Sequence, residues 1–271
     1  MIYFNRGKIM KKRIISAIVA LIIVVPLIIL GNYFFAFGAC VLAILAYKEL
    51  IDLKKSHNEY PKLMIALGLF SMLSLVLSNY QDFTIYRGIT YQIITMILLL
   101  LLIPIIFYRK DKYTSRDAFY LVGITLLLGI IFNIFIVIRN RGLYLFIYLL
   151  LIPMVTDIFA MLGGKYFGKH KMCPKLSPKK TWEGAISGTL CGSLVGIVFY
   201  SLLVGNLTFR VVIITILLSI VGEMGDLVMS KIKRENEIKD FSNIMPGHGG
   251  ILDRIDSIIF VFLMYMFLLI I

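Results

Sequence analysis

Long apolar runs follow one another along the chain and are separated by short polar segments. Nine of these runs approach the roughly 20 apolar residues that a helix needs to cross about 30 Å of hydrocarbon. The pattern predicts an all-α, polytopic integral membrane protein with about nine transmembrane helices. Their centres are expected near Ile22, Val41, Phe70, Leu99, Leu127, Leu150, Ser193, Thr215 and Leu263.

The composition supports a membrane protein. Of the 271 residues, 60% are hydrophobic and the mean hydropathy is +0.92, whereas a soluble domain of this size has a more polar composition. No linker and no tandem repeat divides the chain, so we predict a single membrane-embedded domain over residues 1–271. Within it, residues 1–140 are expected to be mainly scaffold spans, and residues 150–257 to carry the functional site. Three cysteines without a C-x-x-C pair predict neither a zinc site nor a disulfide framework.

The basic residues are distributed unevenly between the loops. A formal net charge of +13 is compatible with a nucleic-acid partner, but the basic residues form no single face or tail. With nine spans, 24 of the 28 Lys and Arg residues fall in alternate loops on one side. Positive loops mark the cytoplasmic side. We therefore expect a multi-pass protein of the cell membrane with a cytoplasmic N-terminus. Its expected partner is the lipid bilayer, and we expect no nucleic-acid partner.

The seventh apolar run has a glycine at every fourth position. Gly184, Gly188, Gly192 and Gly196 share one helical face, from which side-chain bulk is missing. This spacing predicts that the seventh helix packs closely against a neighbouring helix.

A dense polar block, Ser230–Asp256, lies between the last two apolar runs. It holds five cations, five anions and one histidine. Such a block on the cytoplasmic side is suited to a substrate that carries phosphate, because a triphosphate brings about four negative charges that must be offset. The same cations would also serve as topology signals beside anionic headgroups.

Acidic residues within apolar runs are expensive to insert unless they are paired, metal-bound or hydrated, which makes Asp157, Glu223 and Asp226 candidate functional groups. Glu223, Asp226 and Ser230 are spaced i, i+3 and i+7, so they line one helical face. Lys233 extends this face if the helix continues.

Asp253 and Asp256 are spaced i, i+3 at the start of the last apolar run. Carboxylates from two helix ends would make a hard oxygen site that suits Mg²⁺. Ion pairing with neighbouring cations, for example Asp253 with Lys239, would satisfy the same carboxylates without a metal. The spacing alone leaves both alternatives open.

The turn Pro246–Gly250 contains three glycines, which let the backbone approach a ligand closely just before a helix start. His248 in this turn would either donate to a phosphate or hold the turn together. A second basic cluster precedes the seventh run. There, Ser177–Pro178 predicts a helix N-cap with proline at the first helical position, and Lys179, Lys180 and Thr181 follow it.

Three segments carry a resemblance to a known family. The block S-K-I-K-R-E-N-E-I-K-D-F-S-N-I-M-P-G-H-G-G-I-L-D-R-I-D, residues 230–256, resembles the signature of the phosphatidate cytidylyltransferases (CDP-diacylglycerol synthases). S-P-K-K-T-W-E-G at 177–184 and T-D-I-F-A-M-L-G-G at 156–164 are similar to further patterns of this family. The resemblance is firm over residues 155–257. In the rest of the chain, only the pattern of hydrophobic segments is similar. Met245 replaces the usual Leu, Ile or Phe before the proline.

The resemblance implies an enzyme that transfers the cytidylyl group of CTP to phosphatidic acid on the cytoplasmic side of the membrane, giving CDP-diacylglycerol and pyrophosphate. Its implied cofactor is Mg²⁺, held by Asp226 and Asp253. Whether a second cation binds, and whether the protein forms a homodimer, is left open. The implied catalytic residues are Asp226, Lys233, Arg234, Lys239, Asp240, His248, Asp253, Arg254 and Asp256. The implied substrate-binding residues are Ser177, Lys179, Lys180, Thr181, Ser230, Gly249 and Gly250.

Two other functions fit part of the pattern. A related membrane kinase or nucleotidyltransferase would act on another lipid, but the K-R-x4-K-D and H-G-G-x2-D-R-x-D elements argue against it. A transporter also places carboxylates in membrane helices. Transporters usually show repeated halves with broken helices near the midplane, whereas here the two halves differ and the acids adjoin cytoplasmic cations.

Overall fold

The computed structural model describes residues 2–54, 60–78, 88–109, 112–174, 176–245, 247 and 249–270, and this part of the chain is predominantly helical. Each of the nine predicted centres falls within one of its α-helices, which confirms the helical prediction. The helices are α1 (Ile2–Leu30), α2 (Asn32–Lys54), α3 (Lys62–Leu77), α4 (Gly88–Leu102), α5 (Ser115–Arg141), α6 (Leu143–Tyr166), α7 (Trp182–Leu203), α8 (Phe209–Glu235) and α9 (Leu252–Ile270).

Five of the helices in the described residues are long and apolar enough to cross a membrane: α2, α5, α6, α7 and α8. The apolar parts of α1, α3 and α4 are shorter, at 10–17 residues. The chain is therefore a membrane protein with several spans, while the predicted number of nine spans stays a prediction.

A small antiparallel hairpin interrupts the helices. Strand β1 (Lys171–Cys173) pairs with β2 (Ser177–Thr181), so that Lys171 lies opposite Thr181. The prediction of an N-cap at Ser177–Pro178 is wrong, because both residues belong to β2. The residue before a proline favours extended backbone, and pairing with β1 keeps the strand extended up to the cap that does form.

Thr181 is the residue that caps α7. Its backbone is extended (φ −129°, ψ 154°), and its side-chain oxygen accepts a hydrogen bond from the backbone N–H of Gly184. This bond satisfies one of the amide groups that have no partner within the helix. The strand therefore leads directly into the helix, which fixes the position of Lys180 relative to α7.

The chain forms two compact units. The first comprises Met1–Asn140 and Phe241–Leu252, and the second comprises Arg141–Asp240 and Asp253–Ile271. In the first unit, side chains bind the carbonyl groups of other helices. Asn133 donates to the carbonyl of Val76, and Arg139 to those of Ile28 and Ile29. The prediction of one domain over the whole chain stays a prediction.

In the second unit, the glycine face of α7 packs closely against α6. A Cβ atom on Gly184 would lie 2.6 Å from the carbonyl oxygen of Ala160, and one on Gly188 would lie 2.7 Å from that of Thr156. Gly192 faces the side chain of Thr156 in the same way. The predicted close packing of this face is confirmed.

Two hydroxyl pairs connect α6 to α8. Tyr148 bonds to Thr215, and Thr156 bonds to Ser219, each over 2.7 Å between the oxygens. All four side chains are buried, and such interhelical bonds satisfy polar groups that have no water available in an apolar environment. Helices α6, α7 and α8 thus form the scaffold that carries the polar site.

Candidate active site

A cavity of about 460 Å³ lies in the second unit. It is lined by residues from α6, both strands, the start of α7 and α8. Four lysines and three carboxylic acids are among them, which is an unusual concentration of charge between apolar helices. These charged residues are Asp157, Lys165, Lys171, Lys179, Lys180, Glu223 and Asp226.

An ion pair joins the hairpin to α8 in this cavity. The Nζ atom of Lys180 lies 2.6 Å from Oδ2 of Asp226, and it also donates to the backbone carbonyl of Glu223 over 3.3 Å. The side chains of Lys180 and Asp226 are only 21% and 26% exposed. Because water screens such a pair incompletely, removal of one partner would leave the other charge poorly compensated.

The predicted face of α8 is confirmed. The hydroxyl of Ser230 donates to Oδ1 of Asp226, at the long distance of 3.5 Å. The helix continues to Glu235, which keeps Lys233 in the same helix two turns beyond Asp226. Ser230 and Lys233 thus extend the polar strip that starts at Glu223 and Asp226.

Lys233 binds the carboxylates at the start of α9. Its Nζ lies 2.9 Å from Oδ1 of Asp253 and 3.9 Å from Oδ2 of Asp256. The side chains of Lys233 and Asp253 are 10% and 3% exposed. Asp253 is therefore paired with Lys233. The sequence had suggested Lys239 as an example of its partner, and the structure replaces that pairing.

Asp157 and Asp256 approach Asp226 from two other helices. Both lie within electrostatic range of it. The buried Ser257 connects the two, because its hydroxyl donates to Oδ2 of Asp157 over 3.3 Å and its backbone N–H donates to Oδ1 of Asp256 over 2.9 Å. Carboxylates from α6, α8 and α9 thus repel one another electrostatically, and a cation would reduce this repulsion.

The donor set fits a hard cation such as Mg²⁺, although the described residues contain no group of three or more His, Cys, Asp or Glu side chains arranged to hold a metal ion. Mg²⁺ usually takes one or two carboxylates and fills its other positions with water and phosphate oxygens. Asp226 and Asp253, the ligands that the resemblance implies, offer oxygen donors of this kind, and each is bound to a lysine in this structure. One oxygen of Glu223, which lines the same cavity, is buried without a hydrogen-bond partner.

The other predicted cations are on the surface. Arg234, Lys239 and Arg254 are exposed, as is Asp240. Arg234 donates to the backbone carbonyl of Ile238 over 3.0 Å, where it stabilises the end of α8. In the hairpin, Ser177 is half-buried, Lys179 is exposed and Thr181 is buried as the helix cap. His248 lies outside the described residues.

Gly249 and Gly250 belong to the first unit, and each has a structural reason to be glycine. Gly249 has φ +83°, a conformation that other residues rarely adopt. A Cβ atom on Gly250 would come within 2.7 Å of the carboxyl carbon of Glu49. Their predicted contact with substrate stays a prediction.

Three residues that the structure makes prominent were not predicted as site residues from the sequence. Lys165 and Lys171 line the charged cavity. In the sequence they had been used only to count the basic residues of their loop, which predicts the membrane topology. Lys165 directly follows the T-D-I-F-A-M-L-G-G segment, which is a signal that would have found it. Glu49 is buried in the first unit, and its neighbours in sequence gave no indication of a role.

This helical membrane protein is a nucleotidyltransferase, because the chain belongs to the cytidylyltransferase family, whose model matches residues 11–271. It is 36% identical to the phosphatidate cytidylyltransferase of Staphylococcus haemolyticus over 254 residues, covering 93% of this chain and 96% of that protein. The protein of the same name from Staphylococcus aureus strain COL is 35% identical over the same shares of both chains. The Staphylococcus saprophyticus protein of that name is 34% identical, again with the same coverage.

Proposed function

We propose that this chain transfers the cytidylyl group of CTP to phosphatidic acid, with CDP-diacylglycerol and pyrophosphate as the products. The observation that carries the proposal is the Lys180–Asp226 pair inside a charged cavity between membrane helices. The names of the relatives support the choice of substrates. The motif residues from the hairpin, α8 and α9 support the same reaction, since the second unit brings several of them together.

The reaction needs little covalent chemistry from the protein. A phosphate oxygen of the lipid attacks the α-phosphorus of CTP, and the bond from that phosphorus to the pyrophosphate oxygen breaks. The attacking oxygen is already anionic, so no general base is required. The four cavity lysines, which include Lys165 and Lys171, would bind and orient the triphosphate and offset its charge.

Asp226 and Asp253 are the residues proposed to hold Mg²⁺. The ion would offset negative charge on the phosphates when it is bound. Asp157 and Asp256 lie close enough to Asp226 to strengthen the local negative potential. Lys180 and Lys233, which bind the two proposed ligands in this structure, would keep these carboxylates in place between turnovers.

The proposed topology has nine spans, a cytoplasmic N-terminus and the site on the cytoplasmic side of the cell membrane. The alternation of basic loops supports it. A site at that surface lets a lipid headgroup meet a soluble nucleotide.

The test is an assay of the purified protein with phosphatidic acid, Mg²⁺ and CTP that carries a label on its α-phosphate. We expect label in the lipid-soluble product and release of pyrophosphate. A parallel reaction with ATP labelled on its γ-phosphate detects a lipid kinase. Lipid label from ATP but none from CTP would overturn the proposed function.

A further inference from the structure

Glu49 is a buried carboxylate of α2 that binds the segment in front of α9. It is 2% exposed. Its Oε1 accepts hydrogen bonds from the backbone N–H of Ile251 over 2.8 Å and from the hydroxyl of Ser242 over 2.7 Å. Its Oε2 accepts one from the backbone N–H of Leu252 over 2.9 Å. All of these residues belong to the first unit.

These bonds make Glu49 an N-terminal cap that comes from a distant part of the chain. Leu252 is the first residue of α9, where backbone N–H groups have no partner within the helix. A carboxylate is favoured there because it accepts these bonds and faces the positive end of the helix dipole. Three hydrogen bonds also compensate for its burial, which would otherwise be costly for a charged group.

Two glycines shape the described part of the segment that Glu49 holds. Gly249 has positive φ, and its carbonyl accepts a hydrogen bond from the N–H of Met245. Gly250 lies against the carboxylate so closely that a Cβ atom would collide with it. The turn therefore closes on Glu49 at both its start, through Ser242, and its end, through Leu252.

We propose that Glu49 is a positioning residue for the reaction: its carboxylate holds Ser242 and the backbone N–H groups of Ile251 and Leu252, and so sets the direction in which the chain continues into Asp253, the residue that follows Leu252. This inference rests on the proposed function, in which Asp253 is a metal ligand. Glu49 contacts backbone groups of the turn and acts through them. Its loss should therefore slow the reaction more than it weakens substrate binding.

The decisive variant is Glu49→Gln, which keeps the size of the side chain but replaces one acceptor oxygen by an amide that cannot accept from an N–H. The matched control is Asp52→Asn, an exposed acid on the same helix. Ser242→Ala removes one bond and keeps both backbone bonds. The measurements are hydrogen exchange of the Ile251 and Leu252 amides, steady-state kinetics with CTP and phosphatidic acid, and thermal unfolding in detergent.

In Glu49→Gln we expect exchange of the two amides to accelerate at least about tenfold. We also expect kcat to fall at least about tenfold while each KM changes by less than about twofold. Ser242→Ala should show a smaller fall in kcat, and Asp52→Asn should match the parent protein. The kinetics are measured well below every unfolding temperature, so that the fraction of folded protein stays equal.

Three results would overturn the inference: unchanged exchange at Ile251 and Leu252, a kcat that falls only with the folded fraction, or a raised KM with kcat intact. If the parent protein makes no lipid-soluble product from CTP, the proposed function fails instead. The exchange comparison then still decides whether Glu49 holds this turn.

Discussion

At the scale of single residues, the site consists of two lysine–carboxylate contacts that differ in burial. Lys180 and Asp226 retain some access to water, whereas Lys233 and Asp253 are almost fully enclosed. The second pair therefore contributes to stability as well as to the proposed chemistry, because an unpaired buried charge destabilises the folded state. Variants at the two positions should separate these effects.

We expect Asp226→Asn and Asp253→Asn each to lower activity at least about 100-fold, because each removes a proposed ligand charge while keeping the side-chain shape. Turnover at saturating Mg²⁺ is the measurement. Glu237→Gln, an exposed acid beyond the end of α8, is the matched control and should retain activity. Near-normal turnover of either Asp variant would show that its carboxylate is not a metal ligand.

Alanine at Lys180, Lys233 or Arg234 should cost about 1.5 to 3 kcal/mol of transition-state binding, or roughly 10- to 150-fold in kcat/KM, through loss of charge-assisted bonds to phosphate. Kinetics with both substrates varied measure this loss. Lys12→Ala and Lys54→Ala are controls and should leave the kinetics unchanged, since other positive charges remain near both positions in the sequence. Equal losses in all five variants, or a loss in none of them, would identify the basic clusters as topology signals.

Lys233→Ala should differ from Lys180→Ala in a second measurement. It leaves Asp253 buried without its cation, so the unfolding temperature should also fall, by more than in Lys180→Ala. A thermal unfolding experiment in detergent compares the two variants. Equal unfolding temperatures would mean that the enclosed pair contributes no more to stability than the accessible one.

At the scale of elements, the start of α7 is capped by one side-chain hydrogen bond, from the backbone N–H of Gly184 to Thr181. We expect Thr181→Val to destabilise the protein by about 1 kcal/mol, because the amide of Gly184 loses its acceptor while the side-chain shape is kept. Ser177→Ala is the control and should leave the stability unchanged, since Ser177 lies in the strand and does not cap the helix. Chemical or thermal unfolding checks both. A larger loss of stability in Ser177→Ala than in Thr181→Val would indicate that Ser177, and not Thr181, caps the helix.

The contact between α6 and α7 depends on the missing side chains of α7. Gly188→Leu should destabilise the protein by about 2 kcal/mol or more, because the added atoms meet the backbone of α6. Ile186→Leu, on an exposed part of the same helix, should be nearly neutral. Unfolding temperatures of the two variants measure the difference, and equal values would contradict the packing.

At the scale of the whole molecule, the topology is open to a direct test. In a variant without the native cysteines, Cys introduced at Ile85 or Asn206 should react with an impermeant reagent from outside the cell. Cys at Asn58 or Leu176 should react only after the membrane is opened, because these positions lie in the positive loops. External labelling at residue 176 would overturn the proposed orientation and the cytoplasmic site.

The sequence by itself determined the helical architecture, since apolar runs of this length must bond their backbone groups internally and therefore form helices. It also determined the glycine face of α7 and the polar face of α8, because both follow from the helical repeat within a single segment. The motif residues Asp226, Asp253, Lys180 and Lys233 were identified in the same way, from short stretches of chain.

Only the tertiary structure decided which of these groups meet. The pairing of Lys180 with Asp226, and of Lys233 with Asp253 in place of Lys239, depends on how separate helices pack. The strand at Ser177–Thr181 replaced the predicted helix cap because pairing with β1 is a nonlocal contact. The role of Glu49 could not be predicted from the sequence for the same reason, because its partners lie about 200 residues away. No local spacing of residues indicates a carboxylate that binds backbone amides.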